Sequence, residues 1–206
     1  LPTGYKEVDY IESTGIQYID TGVVPNQDTS LKIDYMQIHL YNGVVGSLVR
    51  GIAGTTYIDQ AKGFGFGYKG VDKARVAAYN DELYSNTEYE PGSITYGHEV
   101  LNTRVQQYLF KNQLYSNGLH IHNFTYETNV TEFKGYGSIY LFAFNSPVVT
   151  TSQMRLYSCE IYQNEIMVRN FVPCYRKSDG VIGLFDIVTN EFYINKGTGT
   201  FKKGNN

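Results

Sequence analysis

Gln113-Leu114-Tyr115-Ser116-Asn117-Gly118-Leu119-His120-Ile121 is the stretch whose reading decides the fold class. Asn-Gly is the pair that tolerates the positive φ values of a tight hairpin turn, and here it stands between two short strand-like runs. Thr189-Asn190 divides Leu184–Val188 from Glu191–Ile194 in the same way. A third stretch, Gly63-Phe64-Gly65-Phe66-Gly67-Tyr68, puts every Gly on one face of a strand and every aromatic on the other. A bare glycine face lets another backbone or a flat ligand approach, and an aromatic face packs a core. Phe64 and Phe66 are therefore read as core, with the glycines relieving crowding.

Outward from these signals, strand-like segments recur at short intervals, broken by Gly, Asn and Asp clusters, and no stretch keeps a 3.6-residue apolar period for three turns. Strands are expected over 5–12, 16–21, 30–40, 43–50, 63–69, 73–80, 94–101, 103–110, 113–116, 119–127, 138–145, 154–163, 166–172, 181–188 and 191–195. Composition agrees. The 20 Tyr, 11 Phe and 21 Gly suit pleated surfaces joined by tight turns, and Trp is absent. The fold class read from this is all-β: one antiparallel sandwich domain spanning 1–206, with the linker-like Leu1–Gly4 ahead of it. With no initiator Met, the chain is expected to be a module cut from a longer polypeptide.

Hydrophobic residues make up 42% of the 206 and charged ones 18%, enough apolar surface to fold and too few charges for a disordered polar chain. A net charge of −3, with no long run of Lys or Arg, argues against nucleic acid as a partner. No apolar run approaches the roughly 20 residues that a bilayer span needs, so membrane insertion is not expected. Cys159 and Cys174 form neither a disulfide framework nor a zinc spacing and read as buried small hydrophobes.

Both ends of the chain carry a recognisable pattern. Gly4-Tyr5-Lys6-Glu7-Val8-Asp9-Tyr10-Ile11-Glu12-Ser13-Thr14-Gly15-Ile16-Gln17-Tyr18-Ile19-Asp20-Thr21-Gly22 opens it. Tyr157-Ser158-Cys159-Glu160-Ile161-Tyr162, then Val168 through Asp186, then Gly197-Thr198-Gly199-Thr200-Phe201 close it. These stretches resemble modules of phage and prophage structural proteins and of surface proteins of gut Firmicutes. The resemblance implies a concanavalin A-like lectin/glucanase fold: a jelly roll of two antiparallel sheets, similar to laminin-G-type modules. It also implies a place on a virion (tail, baseplate or fibre) or a bacterial cell surface. The expected role is non-catalytic: binding a host cell-surface glycan, polysaccharide or receptor alongside other subunits of the assembly. The alternative is a purely structural, oligomerising virion domain, for example a homotrimer.

Sugar binding asks for aromatic faces and planar polar side chains that reach hydroxyls. Tyr68, Tyr79, Gln106, Tyr108, Tyr140 and Asn145 lie on segments expected to build the middle strands and are the candidate ligand-binding residues. Glu7-Val8-Asp9-Tyr10-Ile11-Glu12 resembles the E-x-D-x-x-E signature of retaining glucanases of this fold, which makes a glycoside hydrolase using Glu7 and Glu12 a further alternative. The odd offset between those glutamates puts them on opposite strand faces unless a bulge intervenes, and catalysis is not expected. His120 and His122 share a face but lack a third ligand, and His39 and His98 lie elsewhere, so no metal site is assigned. No cofactor is required. Asp20, Asp59, Asp179 and Asp186 leave calcium as an option, with turn capping the expected role. Asn123-Phe124-Thr125 and Asn129-Val130-Thr131 match the glycosylation sequon, which carries little weight in a phage or bacterial protein.

Overall fold

The computed structural model describes residues 1–38, 49–56, 63–69, 73–78, 81–84, 102–110, 113–123 and 136–205, and among them there is no helix. The first sheet contains β1 (Tyr5–Glu7), β2 (Ile11–Glu12), β4 (Thr29–Gln37), β9 (Arg104–Phe110), β10 (Gln113–Ser116) and β11 (Leu119–Asn123). It is completed by β15 (Met154–Gln163), β16 (Ile166–Arg176), β17 (Ile182–Asp186), β18 (Glu191–Ile194) and β19 (Lys202–Lys203). The second sheet contains β3 (Ile19–Asp20), β5 (Val49–Thr56), β6 (Gly63–Lys69), β7 (Lys73–Ala78), β8 (Asp81–Tyr84), β12 (Tyr140–Leu141), β13 (Ala143–Asn145) and β14 (Thr150–Thr151). The main path of the first runs β11-β10-β9-β4-β15-β16-β17-β18, all antiparallel, and that of the second β14-β13-β5-β6-β7-β8, mixed because β13 lies parallel to β5.

The Asn-Gly hairpin forms as its chemistry demands. Ser116 pairs with Leu119, and Asn117 and Gly118 take φ of 48° and 80°, both positive as the two-residue turn requires. The second hairpin starts earlier than the sequence suggests. β17 ends at Asp186 rather than Val188, because the Asp186 carboxylate accepts the Val188 N–H at 3.0 Å and the Thr189 hydroxyl at 2.7 Å, turning the chain there. Strands β8, β14 and β19 were not anticipated, nor was β5 beyond Arg50, where the expected strand ended. The expected strand at 94–101 lies outside the described residues, as do most of 43–50 and the end of 119–127.

The two sheets share one core, which makes the molecule a β-sandwich. Leu31, Ile33, Tyr35, Val105, Leu109, Leu156, Cys159, Ile161 and Phe171 come from the first sheet, Ile19, Ile52, Phe64, Phe66 and Leu141 from the second. Along β9 the buried Val105, Gln107 and Leu109 alternate with the less buried Arg104, Gln106, Tyr108 and Phe110, so one face meets the core and the other faces out. Phe64 and Phe66 are core, as read. The glycine between them admits neighbouring backbone, since a Cβ on Gly65 would fall 2.0 Å from the Ala53 carbonyl oxygen, and on β5 one on Gly51 would fall 1.9 Å from the Phe144 nitrogen. Both cysteines are buried and unbridged. Burial pushes both thiols up, that of Cys174 to about 12.

Candidate functional site

The segment read as one strand over 5–12 is two strands with different partners. β1 pairs with β16, Glu7 opposite Cys174, whereas β2 pairs with β15 on one side and β19 on the other. β15 and β16 pair with each other only from Cys159–Phe171 outward to Gln163–Ile166. Beyond that point they diverge, and residues 8–10 span the fork between them, fixed by hydrogen bonds from Val8 N–H to the Pro173 carbonyl and from Asp9 N–H to that of Asn205. Pro173 sits where β16 changes partner. Its carbonyl turns toward the fork, so the N–H that proline lacks would have faced the same side. A register shift between Leu156 and Ser158 in the β4–β15 ladder marks the divergence on the other arm.

This fork opens as a groove of about 640 Å³. Its deepest lining residues, Val8, Phe171 and Pro173, are buried and apolar, while Glu7, Asp9, Arg104, Tyr10, Tyr157, Ser158 and Asn170 carry polar atoms around them. An aromatic and cationic ladder stiffens one wall. The Arg104 guanidinium lies 4.0 Å from the Tyr157 ring centroid, Tyr157 meets Tyr10 edge-on at 5.5 Å, and Arg155 lies 4.5 Å over Tyr10. Both ends of the ladder are pinned by carboxylates. Arg104 donates Nε and Nη2 to the two Asp34 oxygens, each at 2.8 Å, and Arg155 donates Nε to Glu12 at 2.8 Å. These hydrogen bonds raise both guanidinium pKa values further.

Of the residues expected to bind ligand, Gln106 and Tyr108 lie on the same outward face as Arg104. Two cross-strand rows lead from them to the groove: Gln106–Asp34–Ser158, and Tyr108–Lys32–Glu160–Asn170. At about 4.8 Å between strands, the rows cover roughly 10 and 14 Å. The second is tied by Lys32 Nζ to Glu160 at 3.4 Å and by the Tyr162 hydroxyl, which donates to Glu160 at 2.6 Å. Partial burial raises the Tyr108 phenol.

Tyr140 and Asn145 stand apart from these, in the second sheet. Tyr140 stacks on Tyr18 at 4.7 Å, and Asn145 donates to the Ser138 carbonyl at 2.9 Å, tying a loop. Tyr68 is on β6, with its side chain outside the described residues, as is the whole of Tyr79. The four of the six whose side chains are described thus fall in two places, Gln106 and Tyr108 on the first sheet and Tyr140 and Asn145 on the second. Arg104, Asp34, Tyr10 and Tyr157 were missed, although Arg104 is two residues from Gln106 on an alternating strand and so shares its face.

The three acids of the glucanase-like signature separate. Glu7 and Asp9 line the groove, whereas both Glu12 oxygens face cations, Arg155 at 2.8 Å and Lys202 at 3.6 Å. The aspartates considered for calcium hold backbone. Asp20 accepts the Gly22 N–H, Asp179 accepts the Val181 N–H and pairs with Arg176, and Asp186 accepts the Asn170 and Val188 N–H groups. Asp59 lies outside the described residues, as do His39 and His98 and the His122 side chain, and His120 Nε2 lies 3.1 Å from the Asn123 Oδ1. Among the described residues no group of three His, Cys, Asp or Glu side chains could hold a metal.

No protein-family model matches the chain, and no curated protein matches it.

Proposed function

We propose that this chain is a non-catalytic recognition module with a concanavalin A-like jelly-roll fold, displayed on a phage virion or bacterial surface, that binds glycan through the outer face of its first sheet. The observation that carries the reading is the fork groove, with its apolar floor and ring of converging polar groups. A sugar ring is amphipathic in the same sense: its C–H faces suit Val8, Pro173 and the tyrosine rings, and its hydroxyls suit Asn170, Ser158, Arg104 and the carboxylates. The ladder holds these groups in place before ligand arrives, which lowers the ordering cost of binding. The two rows ending at Gln106 and Tyr108 extend the surface so that a chain of sugars, rather than one, has somewhere to lie. A surface role and the finer fold rest on the resemblance of the chain's two ends. The engagement of both Glu12 oxygens favours binding over hydrolysis.

The test is a glycan array on the intact chain, repeated with Arg104→Ala and Tyr157→Ala. Binding is expected, with a loss of about tenfold or more in each variant, as for central aromatic and arginine contacts. No binding at high micromolar concentration, together with a stable trimer by light scattering, would replace this reading with the oligomerising one.

A further inference from the structure

The walls of the groove are not neutral. Its cation, Arg104, has the Nε–Nη2 edge of its guanidinium taken by both oxygens of Asp34. Arg155, behind Tyr10, is held by Glu12, and Lys202, which shares Glu12, does not line the groove. Glu7 and Asp9 are exposed at its edge and, among the described residues, have no hydrogen-bond or ion-pair partner for their carboxylates. Arg104, already paired with Asp34, feels the Asp9 charge as well, so one cation faces three carboxylates and the concave surface keeps a net negative charge that acts on whatever enters.

We propose that the groove selects its sugar by charge: it accepts neutral and amino-bearing residues and turns away uronic and sialic acids. The inference rests on the glycan-binding reading above. A sugar carboxylate is ordinarily captured by the paired N–H groups of an arginine fork. Here Asp34 takes the Nε–Nη2 edge and neutralises the guanidinium charge, so an incoming carboxylate meets an arginine that already carries a counter-ion, and Glu7 and Asp9 as like charges. A sugar ammonium meets the same two groups as opposite charges, while a neutral sugar keeps the apolar floor and the hydroxyl contacts and carries no net charge for them to attract or repel.

Calorimetry with three matched oligosaccharides tests this: a neutral hexose oligomer, a glucosamine oligomer with free amines, and a uronic acid oligomer. The glucosamine oligomer is expected to bind tightest and to weaken with added salt, the neutral one to be insensitive to salt, and the uronate to bind at least about tenfold more weakly than the neutral one. In the double variant Glu7→Gln, Asp9→Asn, the uronate should gain and the glucosamine oligomer lose about tenfold, each measured relative to the neutral oligomer in the same variant. Uronate binding as tight as neutral binding in the parent chain, or a double variant that keeps all three affinities in the same ratio, would overturn the charge selection while leaving glycan binding intact. Failure of all three, with an empty array, would remove both the glycan reading and this inference.

Discussion

Two glycines in this chain do different work, and substitution separates them. Gly51 lies against the β13 backbone, and an added Cβ would overlap the Phe144 nitrogen at 1.9 Å and the Ala143 carbonyl carbon at 2.2 Å. Neither can move without displacing a strand, so Gly51→Ala is expected to cost about 3 kcal/mol or more in urea unfolding. Gly118 has open space around its Cβ position and only its φ of 80° to satisfy, so Gly118→Ala should cost about 1 kcal/mol. Asp34 is a positioning residue in the same sense that Gly51 is a spacing one. It touches the groove only through Arg104, and Asp34→Asn removes the bidentate clamp while leaving a polar side chain. Glycan affinity is expected to fall about tenfold. Stability should move by less than about 1 kcal/mol, since Arg104 is largely exposed. Equal losses in both measurements would make Asp34 merely structural.

The strands show why some of this architecture was legible and some was not. The hairpin at Asn117-Gly118 could be read because its determinants are local: two residues with positive φ and alternation on either side. The outward row Arg104, Gln106, Tyr108 was half legible, since the aromatic and the amide suggest sugar contact while a single arginine on a strand carries no such signal. The fork could not be read. Residues 5–12 look like one strand, and they break at 8–10 because their two halves answer to different strands about 150 residues away, which no local pattern records. The acids that resemble a glucanase signature were spaced by that break rather than by a catalytic bulge. β2 is the wedge that holds the fork open, and its Ile11 is fully buried between β15 and β19. Ile11→Ala should cost about 3 kcal/mol. It should also weaken glycan binding more than a core truncation of equal cost far from the fork, such as Leu114→Ala, a comparison that denaturation and array measurements together decide.

The whole sandwich should be sensitive to base. Tyr35 is buried in the shared core, its hydroxyl donating to the Gln107 amide oxygen at 3.1 Å, and burial raises its phenol well above the ordinary value of about 10. Cys159 is raised by burial in the same core. Because both folded values lie above the unfolded ones, their contribution is complete below the unfolded values, about 8.5 for the thiol and 10 for the phenol, and is lost as pH rises beyond them. Stability is expected to fall above about pH 9–10, with Tyr35 forming phenolate only as the chain unfolds. Reversible ionisation of every tyrosine in a still-folded protein, followed by absorbance, would contradict this. The fork also has a consequence for how the molecule is made. β1 and β2 leave the ribosome early but find their partners only in β15, β16 and β19, so at about 5–20 residues per second they wait roughly ten seconds or more with nothing to pair. The groove therefore cannot form until β15 and β16 have been made, and a nascent product cut short before Met154 cannot display it.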